Sequence, residues 1–248
     1  MQTFRADLHI HTVLSPCGDL DMSPRNIVDI AIQRGMDIIG ISDHNSTLQS
    51  GLVKQLGEER GLYVLCGVEV TTKEEVHCLC FFSNDNELAI FQQFIEDRFP
   101  NIPNNVDYFG YQVVVNEKNE IVNEIDTLLT SAISASIEQV EAKVHQLNGI
   151  FIPAHINKSQ NSLLSQLGFL PKGLKVDALE LSRHVKVDNF LKTNAYLSNH
   201  SFIQSSDAHY PDDIGTVYTE LYIKEPTCNE IRMALHKENG RYIAGYHT

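Results

Sequence analysis

Short apolar runs rich in Val and Ile alternate along this chain with amphipathic stretches that carry an apolar residue every third or fourth position. The first kind reads as strands buried on both faces, the second as helices packed on one side. Strands are predicted at 4–7, 37–42, 63–68, 76–82, 112–115, 150–154, 176–181, 202–206 and 220–223. Between them fall a helix opening at Ser23-Pro24 and closing at Gly35, and others near 47–60, 86–98, 136–148, 186–198 and 227–239. Pro24 suits a first helical turn, where its missing N–H has no intrahelical partner to lose. Ser136-x-x-Gln139 and Thr227-x-x-Glu230 are capping boxes, in which two side chains satisfy amide donors at a helix start. The alternation is that of an α/β fold, and the strands are too many for a small doubly wound sheet, so a parallel barrel is expected. Residues 99–130, with Pro100, Pro103 and a polar Asn116-Glu117-Lys118-Asn119-Glu120 turn, read as an excursion inside a single domain covering 1–248.

Polar residues gather where the apolar runs stop. The first run leads into His9 and His11, the second into Asp43 and His44, the third into Glu69, the 150–154 run into His155, and the 202–206 run into Asp207 and His209. A parallel barrel collects the C-terminal ends of its strands on one face, so residues as distant as His9 and His209 meet there. Side chains at i and i+2 of a strand project from the same side, which lets His9/His11 and Asp207/His209 each present two ligands to one cavity. A lone histidine is usually a surface or core residue; this many at strand ends, with Glu69 and Asp207 among them, indicate a metal site. Imidazole and carboxylate without obligatory thiolate suit Zn²⁺, Mn²⁺ or Fe ions, and Glu69 can bridge two of them. Asp7 and Asp43 either hold ligand imidazoles in the right tautomer or cap turns. His77 begins a strand rather than ending one, and the other histidines fall in helical or terminal segments, except His184, which stays open. For substrate phosphate, Arg183 beside His184 is the first candidate clamp, because guanidinium binds phosphate bidentately, and Lys158 is the second.

Composition narrows the partners. With 42% apolar residues a large core is available, while a net charge of −13 argues against long duplex nucleic acid as the main partner, since phosphate contacts need Lys and Arg. The five cysteines, Cys17, Cys66, Cys78, Cys80 and Cys228, are odd in number and lack a C-x-x-C pair, which suits reduced thiols in the cytosol. Neither a signal pattern at the start nor an apolar stretch of roughly 18 residues is seen, so a cytoplasmic protein without a membrane partner is expected. There is no G-x-S-x-G elbow and no G-x-x-x-x-G-K-[ST] loop to support serine-nucleophile or nucleoside-triphosphate chemistry.

Asp7-Leu8-His9-Ile10-His11-Thr12, Ser42-Asp43-His44-Asn45, Gly67-Val68-Glu69, Pro153-Ala154-His155 and Ser206-Asp207-Ala208-His209 occur in that order. Together they closely resemble the motifs of the PHP (polymerase and histidinol phosphatase) superfamily, over residues 4 to about 215. The resemblance implies a distorted, TIM-like (β/α)7 barrel with two or three divalent metals at the mouth. Carried over, one metal takes His9, His11, Glu69 and Asp207, a second shares Glu69 with His77 and His155, and a third uses His44 and His209. Many relatives have an Asp or His just before a Gly in the following loop, where this chain has Cys17, Gly18 and then Asp19. Asp19 as a hard oxygen ligand or Cys17 as a softer thiolate completes the third position.

Such a centre lowers the pKa of a bridging water and orients a phosphoryl group. The expected activity is therefore hydrolysis of a small phosphorylated metabolite or nucleotide by metal-activated hydroxide. A short-oligonucleotide exonuclease is the alternative, because a dinucleotide or a 5′ end presents only one or two phosphates; a histidinol phosphatase is another branch. From a different class stands a catalytically silent metal-binding regulatory module.

Overall fold

The computed structural model describes residues 1–248. In chain order the elements are β1 (Gln2–Ile10), α1 (Pro24–Gln33), β2 (Ile38–Ile41), α2 (Ser50–Glu58), β3 (Tyr63–Thr71), β4 (His77–Phe82), α3 (Asp85–Glu96), α4 (Val106–Phe109), β5 (Val113–Val115), β6 (Ile121–Glu124), α5 (Ile137–Gln146), β7 (Ile150–Pro153), α6 (Leu163–Leu167), β8 (Leu179–Glu180), α7 (Val187–Thr193), β9 (Phe202–Ile203), β10 (Tyr218–Ile223), α8 (Cys228–Leu235) and β11 (Tyr242–His247).

The main sheet is curled, with order β11-β10-β1-β2-β3-β4-β7. β8 and β9 form a short parallel pair outside that ladder. Individual hydrogen bonds carry the curl toward closure: Asp177 N to Phe151 O (3.0 Å) and Ile156 N to Glu180 O (2.9 Å) join β7 to β8, while Ala208 N to His9 O (3.1 Å) and His11 N to Ala208 O (3.0 Å) join the segment after β9 to β1. The result is a distorted, TIM-like α/β barrel in which β10 and β11 extend outward from the N-terminal part of β1.

The strands are not all parallel, as the sequence pattern suggested. β4 runs antiparallel to both β3 and β7. The connection from Thr71 to His77 is too short for the crossover that a parallel neighbour requires. Reversal also explains His77: the start of β4 lies beside the ends of β3 and β7, so it faces the same mouth. The strand expected at 176–181 shrinks to two residues, because the Asp177 carboxylate takes over Phe151 N (2.7 Å) where a strand carbonyl would otherwise sit.

Alternation of the strands sorts the core. Ala6, Leu8, Leu65, Phe81 and Ile152 face the barrel interior and share one packed cluster with Cys228, Ile231, Ala234 and Leu235 of α8. α8 thereby stops the barrel at its strand N-termini, each buried aliphatic contributing about 1.5–3 kcal/mol. The outer faces of β1–β3 pack on α1 and α2, and those of β3, β4 and β7 on α3 and α5. The Ser136/Gln139 capping box closes in both directions. The Thr227/Glu230 box closes only halfway, since the Glu230 carboxylate is drawn to Arg241 (2.7 Å) and Lys224 N (2.8 Å). The 99–130 excursion holds α4 and the β5–β6 hairpin, and Gln49 ties it down by bonding both Val115 N (2.8 Å) and Val115 O (3.1 Å).

At the plugged end, buried Asp177 accepts from His145 Nε2 (3.1 Å) and His236 Nε2 (2.7 Å) as well as Phe151 N. Burial alone would raise the Asp177 carboxyl, but these donors hold it below its usual value of 3.8, and the hydrogen bond to Asp177 raises His145 above 6.5. Asp177 stabilises the fold above pH 3.8 and loses that contribution as pH falls through its depressed folded value. His145 stabilises below 6.5 and loses its share as pH rises through its elevated one. Urea unfolding of wild type and Asp177→Asn should therefore differ most, by about 2 kcal/mol, between pH 3.8 and 6.5. A difference that is flat with pH would reject the Asp177–His145 ion pair.

Candidate metal centre

A β-bulge builds the floor of the site. Pairing of β1 with β2 slips between Asp7 and Ile10, so Leu8 packs in the interior cluster while Ile10 packs outward against α1. The extra residue re-aims the side chains that follow. His9 and His11 thus enter the mouth, and Asp7 turns to the 206–215 loop, where it accepts from Ser206 N (2.9 Å), Ser206 Oγ (2.6 Å) and Gly215 N (2.8 Å). The expectation that Asp7 orients an imidazole is corrected accordingly: it anchors the Asp207 loop to β1.

Glu69, on β3, occupies the centre. Its Oε1 lies 2.9 Å from His77 Nδ1, 3.1 Å from His155 Nε2 and 3.3 Å from His9 Nε2, and its Oε2 lies 3.0 Å from His44 Nδ1 and 3.6 Å from His11 Nε2. Asp207 Oδ1 completes one side, 3.4 Å from His9 Nε2 and 3.6 Å from His11 Nε2. His209 donates from Nδ1 to Asp207 O (2.9 Å) and stacks on His11 with centroids 4.1 Å apart. Strand ends thus bring together His9, His11, His44, Glu69, His77, His155, Asp207 and His209. Asn45, His155 and Asp207 adopt left-handed φ of 47°, 28° and 53°. Such backbone costs about 1–3 kcal/mol each and persists at functional sites.

Asp43 acts one step removed from the imidazoles. It accepts from Thr12 N (2.7 Å), Thr12 Oγ1 (2.8 Å) and Ser15 Oγ (2.7 Å), and Ser15 Oγ in turn accepts from His11 Nδ1 (3.0 Å). The direct support of an imidazole comes from a residue the sequence reading passed over. Glu180 on β8 accepts from His9 Nδ1 at 3.0 Å and from His155 N at 2.9 Å. Its one local mark is a carboxylate between Leu179 and Leu181 in an otherwise apolar run, which sets it apart without indicating the imidazole it holds. Asp19 stays outside the cluster, because its Oδ1 caps the Asp21 amide (2.8 Å). Lys158 reaches in to pair with Asp207. Arg183 pairs with Asp213 (2.8 Å) and His184 is exposed beside it. A cavity of about 310 Å³ is lined by Lys158, Arg183 and His184 together with His155, Asp207 and His209.

Burial would raise Glu69 and Asp207, yet the surrounding imidazoles hold both well below the usual carboxylate range. Burial would likewise lower His9, but Glu180, Asp207 and Glu69 raise it well above 6.5. His11 and His77 stay below 6.5 through burial. Two observations show that this donor set fits divalent metal. His9 Nε2 and His11 Nε2 face each other at 3.2 Å, and His44 Nδ1, turned toward Glu69, is buried without a hydrogen-bond partner. Three groups converge with ligand spacing: His9/His11/Glu69, His44/Glu69/His77 and His11/His44/His209. Imidazole and carboxylate nitrogen and oxygen are the ligands zinc, manganese and iron take.

The fold and the site define an α/β barrel with a histidine–carboxylate centre at its mouth. The chain belongs to the PHP family: the PHP domain matches residues 7–156, and the PHP-associated family matches residues 194–239. It is 24% identical to the uncharacterised protein YqxK of Bacillus subtilis over 98% of this chain and 64% of that one. In fold it is similar to the lesion-specific endonuclease PfuEndoQ of Pyrococcus furiosus, with TM-score 0.75 and 20% identity over 99% of this chain and 58% of that one. An endonuclease Q complex with a 27-mer duplex bearing an abasic lesion gives TM-score 0.77 at 20% identity, over 99% and 59% of the two chains. A two-domain protein of Bacteroides vulgatus containing a predicted PHP-like metal-dependent phosphoesterase gives 0.57 at 18% identity, over 97% and 65%. The chain thus spans less than two thirds of the length of each of these proteins. No helix is long and apolar enough to cross a membrane.

Proposed function

We propose that this protein is a metal-dependent phosphoesterase that hydrolyses a small phosphorylated metabolite or nucleotide at a di- or trinuclear centre. The observation that carries the reading is the shared cavity: Lys158, Arg183 and His184 line the same space as the candidate ligands His155, Asp207 and His209. His9, His11, Glu69 and Asp207 would hold one ion, Glu69 with His77 and His155 a second, and His44 with His209 part of a third. When bound, divalent zinc, manganese or iron supplies an activated water and neutralises phosphoryl charge. Glu180 and the Asp43–Ser15 pair hold His9 and His11 in the tautomer that turns Nε2 toward the centre. Arg183 exchanges Asp213 for phosphoryl oxygens, Lys158 adds a second positive charge beside Asp207, and His184 contacts substrate from the rim. Five free cysteines, all but Cys17 buried, support a reducing cytosolic compartment.

The test is metal content by elemental analysis together with hydrolysis of an aryl phosphate in added Mn²⁺, Zn²⁺ or Fe²⁺. At least two ions per chain and metal-dependent turnover are expected; protein that takes up no metal overturns the reading. Arg183→Ala should raise KM about 10- to 100-fold with little change in kcat, as loss of charged hydrogen bonds worth about 1.5–3 kcal/mol implies. An unchanged KM would remove Arg183 from the phosphate site.

A short-oligonucleotide substrate is supported by exposed aromatics near the mouth. Tyr108, Phe109 and Tyr111 are 84%, 44% and 51% exposed, and Gly110 between them lies so close to Pro16 O that a Cβ would sit 2.5 Å away. Base stacking on such a platform is worth about 1–3 kcal/mol. The acidic composition no longer serves to exclude long duplex, since a protein of similar fold is seen in complex with one. Product analysis on mononucleotides, short oligonucleotides and lesion-bearing duplex separates these substrates.

A further inference from the structure

The cavity beside the candidate ligands carries hydrogen-bonding groups that neither the ions nor the phosphate contacts use. Ser182, Ser205, Tyr210 and Asp213 line it, and Leu181 is its only aliphatic side chain. Ser182 is locked to Asn157 from both sides: its N donates to Asn157 Oδ1 (2.9 Å) and its Oγ accepts from Asn157 Nδ2 (2.9 Å), so its hydroxyl proton stays free to donate. Ser205 Oγ is buried without a hydrogen-bond partner.

Asp213 is held by its backbone, which leaves its carboxylate to the cavity. Arg34, at the end of α1, donates to the carbonyls on either side, Asp212 O (2.7 Å) and Ile214 O (2.6 Å). Thr216 donates to Asp213 O from both N (3.1 Å) and Oγ1 (2.6 Å), and the buried Asp7 carboxylate accepts from Gly215 N (2.8 Å). The Asp213 side chain takes no part in this turn; its bond is to Arg183, whose Nη1 lies 2.8 Å from Oδ1. When Arg183 leaves for phosphoryl oxygens, a carboxylate only 28% exposed loses its counter-ion inside the cavity. Such an acceptor needs donors. A substrate that carries hydroxyl groups brings them itself, since the two oxygens of one carboxylate accept from a pair of neighbouring hydroxyls.

We propose that this cavity selects a phosphorylated sugar, with Asp213 as the specificity-determining residue that accepts from the sugar hydroxyls while Ser182 and Ser205 bond the same ring. The proposal rests on the phosphoesterase reading above and names the alcohol that leaves. A free sugar phosphate and the ribose of a nucleotide share this chemistry. A site built to bond hydroxyls discriminates strongly against an analogue that lacks them, because its own polar groups are then left unpaired.

Phosphate release by the metal-loaded protein tests it. Ribose 5-phosphate and adenosine 5′-monophosphate are set against 2-deoxyribose 5-phosphate and 2′,3′-dideoxyadenosine 5′-monophosphate, with an aryl phosphate as control. Wild type should prefer the hydroxylated ester to its deoxygenated partner by about 10- to 100-fold in kcat/KM. Turnover of both hydroxylated esters assigns the wall to sugar hydroxyls alone, and turnover of the nucleotide only assigns it to ribose carrying a base; either supports the proposal. Asp213→Ala should bring the ratio near one by slowing the hydroxylated esters, while the deoxygenated ones keep or gain activity because Arg183 is released. Asp213→Glu should restore the preference. A ratio near one in wild type, an unchanged ratio in Asp213→Ala, or an equal loss on every ester in that variant overturns the assignment. Failure of wild type to hydrolyse any of these esters, the aryl phosphate included, overturns instead the phosphoesterase reading beneath it.

Discussion

Glu69→Gln should abolish turnover and remove at least one ion per chain while leaving the fold in place. Glu69 is 1% exposed and is the side chain on which five imidazoles converge, at 2.9 to 3.6 Å. Gln preserves its volume, so packing is retained. It removes the negative charge and turns an amide N–H toward one set of imidazole nitrogens, where a carboxylate oxygen had faced them. If Glu69 bridges two ions, its loss forfeits several kcal/mol of charge stabilisation, which at about 1.4 kcal/mol per tenfold is a fall of about 10³ or more in kcat/KM. Elemental analysis, aryl phosphate hydrolysis and circular dichroism check the three parts separately. A variant with normal metal content and activity would show that the buried carboxylate is structural only.

Glu180→Ala should weaken metal binding and lower activity by about 10- to 100-fold, the usual effect of removing a carboxylate that orients a ligand histidine. The carboxylate holds His9 Nδ1 at 3.0 Å and the His155 backbone amide at 2.9 Å, and so fixes two candidate ligands from opposite sides of the barrel. His155 sits at φ 28°, and the bond to its amide helps keep it there. Competition with a chromophoric chelator measures the affinity, and thermal unfolding in chelator separates it from simple destabilisation. Equal metal affinity in the variant, with only a lowered Tm, would confine Glu180 to a structural part.

How much of this was legible before folding can be seen from single residues. His9, His44, Glu69, His155 and Asp207 each end an apolar run, and that local signature suffices because strand ends in an α/β barrel share one face. His77 lacked the signature, since it opens a strand whose direction depends on pairing with β3. Asp7 carried a misleading one: its spacing from His9 places both on one side of a regular strand, and the bulge separates them. Glu180 is 171 residues from the imidazole it holds, and no local pattern reports a partner that distant.

The sequence by itself determined the α/β class, the helix starts at Ser23, Ser136 and Thr227, and the residue types that suit divalent metal, because propensity, capping and donor chemistry act over a few neighbouring residues. Tertiary structure alone decided the reversed direction of β4, the bulge that re-aims His9 and His11, and the burial of Glu180 behind them. These depend on register and closure, and such contacts exist only once segments far apart in the chain have packed together.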